Sequence, residues 1–136
     1  MPVVATLDSA EFRWGQDLFN HGYYWEAHEA WEVIWHVAEK GSALRALLKA
    51  LILLSATGVK IREGKRAAAI RHAGRAAVLF RRLSEVSHDA FSRALGMPPA
   101  LLADLAEASA CAPRVLQVVA PGQPEQVFDF TLENSS

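Results

Sequence analysis

The chain has 136 residues, 51% of them hydrophobic, with 14 Lys and Arg against 15 Asp and Glu. That length suits one domain with a core built without disulfides or metal clips, and the apolar content with only 21% charge excludes a disordered chain. A net charge of −1 excludes a polybasic protein, while the lone Cys111 excludes an internal disulfide framework and fits a reducing compartment.

Alanine occurs 24 times, and as the best helix former it tilts the expectation to all-α. The opening stretch, MPVVATLDSAEF, has no basic flank and no apolar region, so no signal peptide is read. A first helix is predicted from Asp8, Ser9, Ala10 and Glu11, with Asp8 as cap and Glu11 at the third helical position. It carries Phe12 and Phe19 and ends at Asn20, His21 and Gly22. A second runs from Tyr23 to Lys40 and stops at Gly41. The third, from Ser42 to Glu63 and Gly64, is apolar around nearly its whole circumference and belongs in the middle of a bundle. Its longest apolar run, Ala50 to Val59, is about half of the ~20 residues a membrane span needs. A fourth helix spans Lys65 to Leu83, and Phe91 to Leu95 reads as a short extra turn. The fifth follows Pro98 and Pro99 and fades before Pro113. After Pro121, the breaker Gly122 to Pro124 leads into Val127, Phe128, Phe130 and Leu132, a pattern for an extended tail on the body. The expected architecture is one domain over residues 1–136, an antiparallel bundle of about five helices with its motif-bearing core at 10–85 and a tail at 121–136.

The second helix holds the chemistry. Trp25, Trp31 and Trp35 are interleaved there with Glu26, His28, Glu29 and Glu32. On a helical wheel His28, Glu29, Glu32, Trp35, His36 and Glu39 gather around Trp25, and Tyr24, Trp31 and Trp35 make an aromatic stripe beside His28. Glu26 falls between Val33 and Val37 on a side expected to pack, and so calls for a partner. Lys49 interrupts the greasiest helix, where a buried ammonium is costly unless paired. His72 lies at the centre of the apolar face of the fourth helix. The simplest geometry joins these groups in one network under an indole cap. Such a network fixes helix register with no chemistry at all, or walls a binding pocket.

Two chemical readings compete with that one. His28 and Glu32, four residues apart, are the candidate ligands for a divalent metal, although neither a second histidine at zinc-protease spacing nor a paired Glu-x-x-His appears. Without metal, His28 with Glu29 or Glu32 is a candidate general base for a hydrolase-like enzyme, with no Ser or Cys nucleophile motif beside it. No cofactor is expected.

Charge is uneven along the chain: −6 over residues 1–39, +3 over 40–59, +7 over 60–82 and −5 over 83–136. Arg71, Arg75 and Arg82 fall within about 40° on the fourth helix and form a candidate anion or nucleic-acid stripe. No aromatic residue interleaves them for base stacking, which disfavours nucleic acid and favours a solvated face.

The string LFNxGxYWEAHExWExxW from Leu18 to Trp35 resembles the signature of the DUF309 family, small proteins of uncharacterised function. LLKALI from Leu47 to Ile52, then Gly58, Val59 and Lys60, and Arg62, Glu63 and Gly64, is similar to its second block. That block commonly reads LQGLI, so Lys49 and Ala50 depart from it. The resemblance covers about residues 10 to 85 and implies a compact helical bundle with no assigned activity. Its motif positions here are Trp25, Glu26, His28, Glu29, Glu32 and Trp35. The expectation is a cytoplasmic binding or scaffold module with no membrane partner. It would engage a small molecule or a protein, with apolar helix faces open to homo-oligomer formation.

Overall fold

A computed structural model of the chain describes residues 5–85, 89–112 and 125–134. It has six helices: α1 (Ala10–Asn20), α2 (Tyr24–Val37), α3 (Ala43–Arg62), α4 (Arg66–Glu85), α5 (Asp89–Leu95) and α6 (Pro99–Cys111). No strand occurs among the described residues. Short turns join α1 to α4 in series, each packing on the next, so neighbours run antiparallel as in a bundle. The sixth helix lies mainly along α4.

Several helix ends differ from the sequence expectation, and α4 runs to Glu85, two residues past Leu83. Ser9, not Asp8, caps α1, because its hydroxyl accepts from Phe12 N. The second helix ends at Val37, three residues before Lys40, as Ala38 turns extended. Arg45 explains that stop: its Nη1 donates to the carbonyls of Trp35 at 3.0 Å and Ala38 at 2.9 Å. Ser42 caps α3 as a hydroxyl at that position should. The short turn at Phe91 to Leu95 is a helix in its own right, beginning at Asp89.

The third helix sits centrally, with eleven buried residues including Leu47, Leu48, Leu51 and Leu54. Residues 125–134 are neither helix nor strand, and bury Val127, Phe128 and Leu132 in the core shared by the helices. Phe128 stacks on Phe19 with centroids 5.4 Å apart. Asn20 holds this segment by its backbone, donating to Leu132 O at 2.8 Å and accepting from Leu132 N at 2.7 Å. Gly122 to Pro124, expected as a breaker, lie outside the described residues. No helix among the described residues is long and apolar enough to cross a membrane.

Candidate functional site on helix α2

The motif tryptophans divide by helix face. Trp31 is 0% exposed and its Nε1 donates to Phe12 O at 3.2 Å. The indole fills the space into which a Cβ at Gly15 would project, so α1 and α2 meet there with no room for a side chain. Tyr24 is buried too, and its hydroxyl accepts from Val127 N at 3.0 Å. A Cβ at Gly58 would lie 2.8 Å from Tyr24 Cγ, which explains glycine in the middle of α3. Trp31 and Tyr24 are therefore core.

Trp25 points the other way and is 58% exposed. Its ring lies 5.2 Å from the half-buried ring of His28. His28 Nε2 is 2.9 Å from Glu32 Oε2, and the other carboxylate oxygen is 3.7 Å from His36 Nε2. One turn apart on a helix, these three side chains form a ladder by spacing alone. An ionised carboxylate only accepts, so in a hydrogen bond across this contact the proton sits on His28 Nε2, and Nδ1 is the other ring nitrogen. That Nδ1 is enclosed and has no partner among the described residues. Beside it lies a cavity of about 60 Å³ lined by Trp25, His28, Ala56, Val59 and Lys60. It has room for about two waters at ~30 Å³ each, well short of the ~300 Å³ at which ligand pockets begin.

The other predicted members stand apart from this ladder. Glu26 is exposed, because the flank of α2 that carries Val33 and Val37 is itself uncovered, at 48% and 53%. Glu29 is also exposed. Among the described residues Lys49 meets no carboxylate: it is half-buried with Nζ 5.2 Å from the Trp35 centroid, and Arg45 Cζ lies 4.0 Å from the same half-buried ring. The aliphatic stem lies along apolar surface while the indole face receives the charge, which relieves the cost of lysine in α3. His72 is half-buried with its Nδ1 enclosed and unpartnered among the described residues. Burial, then the charges of Arg75, Lys60 and Arg71, hold its pKa below the ordinary value. Among the described residues, no ion pair links Glu26, Lys49 or His72 to the His28–Glu32 pair. The expected three-helix network is thus a ladder on one helix, with two basic groups elsewhere.

No group of three His, Cys, Asp or Glu among the described residues is placed to hold a metal ion. Arg71, Arg75 and Arg82 are exposed, as a solvated stripe would be. Arg81, about 80° off that stripe on the wheel, forms ion pairs with Asp104 at 2.9 Å and with Glu107, linking α4 to α6. Sequence reasoning missed the residues that work on backbone: Asn20, Arg45 and Arg62. Arg62 Nη2 donates to Gly22 O at 2.6 Å and to Glu125 O, with its guanidinium 5.0 Å from the Tyr24 ring. Asn20 and Arg62 both stand inside the two motif strings, and that was their only signal.

The family described as a domain of unknown function, DUF309, matches residues 12–72. No curated protein and no solved structure matches the chain.

Proposed function

Residues 12–72 belong to the DUF309 family, whose description assigns no activity, and we propose from the geometry of α2 that the chain is a cytoplasmic binding module. It docks a cationic segment of a partner protein on the outer face of that helix. The observation that carries the reading is Trp25, a large indole left 58% exposed. It stands on a helix with three carboxylates, Glu26, Glu29 and Glu32, and no lysine or arginine. Tryptophan in such a position is the residue type that most often anchors an interface. Its open face accepts a guanidinium or ammonium, and the flanking carboxylates supply the opposite charge. The small cavity beside His28 suits one side-chain tip rather than a metabolite. Val33 and Val37 extend the apolar part of the face.

Titration of the labelled protein with capped Arg/Leu peptides, set against Glu/Leu peptides of the same length, tests this. The basic peptide is expected to shift the amides of residues 25–36 and to bind more than about tenfold tighter than the acidic one. Trp25→Ala should weaken binding more than about tenfold and leave the melting temperature unchanged, and Glu29→Lys should weaken it too. Equal binding by Trp25→Ala, or shifts confined to other helices, overturns the reading. Concentration-dependent self-association abolished by Trp25→Ala also overturns it, in favour of a second copy as the occupant.

A further inference from the structure

A second surface, on the opposite charge sign, lies between α3 and α4. A cavity of about 280 Å³ is lined by Lys49 and Leu53 from α3 and by Arg75, Val78 and Leu79 from α4. Three of its five lining residues are aliphatic and two are cations. Neither Lys49 nor Arg75 makes an ion pair among the described residues. Along the chain, residues 40–82 contain eleven bases and one acid, Glu63. Glu63 is engaged by Lys60 at 3.0 Å and Lys65 at 3.7 Å.

We propose that the groove between α3 and α4 binds a small amphipathic anion, with its carboxylate or other monoanionic head between Lys49 and Arg75 and its apolar body on Leu53, Val78 and Leu79. The volume falls just under the ~300 Å³ of ordinary ligand pockets, so the ligand is smaller than a nucleotide or a long acyl chain. The aliphatic lining excludes a purely ionic role: inorganic phosphate would satisfy the cations and leave the apolar floor wet. Long-range duplex binding is also disfavoured, because Lys49 lies on α3, off the face that carries Arg71 and Arg82, and its head rests on the Trp35 ring.

The probe is octanoate, titrated calorimetrically into the full chain, with octanol and inorganic phosphate as the neutral and the purely ionic comparisons. Octanoate is expected to saturate at one site, and octanol and phosphate to bind at least about tenfold more weakly. Arg75→Gln, at an exposed position, and Lys49→Gln should each weaken octanoate about tenfold, the size of one lost charged contact. Val78→Glu, also exposed, should abolish binding by putting a carboxylate in the apolar part of the lining. Melting curves identify any variant that fails to fold, and Arg75→Gln then decides the matter. Unchanged octanoate binding in Arg75→Gln, phosphate binding as tightly as octanoate, or no saturation in the millimolar range overturns the proposal. So does binding to anionic lipid vesicles without binding to free octanoate, since that places the recognition on a surface and not in the groove.

Discussion

His72 is an imidazole among cations, with one ring nitrogen enclosed and unpartnered among the described residues. In the unfolded chain it titrates near its ordinary value of 6.5, whereas the fold holds the pKa lower, first by burial and then through Arg75, Lys60 and Arg71. The folded state thus takes up the proton less readily than the unfolded one. Its contribution to stability is fully present above about pH 6.5 and is lost as the pH falls through the depressed value. Acidification from about pH 7 to 5 should lower the melting temperature of the wild type more than that of His72→Gln, in parallel melts across that range. Parallel curves would refute the assignment. The letters put His72 at the centre of the apolar face of α4, where it is half-buried; one of the charges acting on it, Lys60, comes from α3, which a wheel drawn for one helix cannot supply. The same limit separates Trp31 from Trp25. Both belong to one short motif, yet Gly15 makes room for the first while the second is left 58% exposed.

At the scale of elements, the end of α2 depends on a residue of α3. Arg45 donates to two carbonyls at the C-terminus of α2 and stacks on Trp35, satisfying acceptors that a helix end otherwise leaves to solvent. Arg45→Ala is expected to destabilise the protein by about 1.5–3 kcal/mol, the range for hydrogen bonds to charged groups. Arg45→Lys should recover less than half, since an ammonium cannot fork to both carbonyls and lie flat on the ring. Urea denaturation of the three proteins measures both. Helix order and type were legible because alanine, Ser42 and the Pro98–Pro99 pair speak locally. The end at Val37 was not, because the periodicity of the letters continues to Lys40 and the interruption arrives from another helix. Glu39, placed on the α2 wheel by that continuation, lies beyond the helix.

For the molecule as a whole, residues 125–134 complete a core that the helices begin. Val127, Phe128 and Leu132 are buried there, and Asn20 pairs with both polar atoms of the Leu132 backbone. A chain ending at residue 124 loses these contacts and uncovers Phe19 and Tyr24. Its melting temperature should fall by about 5 °C or more, and adding the 125–134 peptide in trans should restore part of the loss. A truncated chain melting with the full one would show that the segment contributes nothing. The aromatic pattern of the tail was visible in the letters. Its binding site was not, because Asn20 and Leu132 lie 112 residues apart and nothing local relates them.

Arg62 carries one more consequence. A single guanidinium serves the turn at Gly22 and the strap at Glu125, partners 40 and 63 residues away along the chain. Whenever the strap lifts, that fastener keeps only its grip on the turn ahead of α2, so looseness at the far end of the polypeptide reaches the base of the helix that bears Trp25.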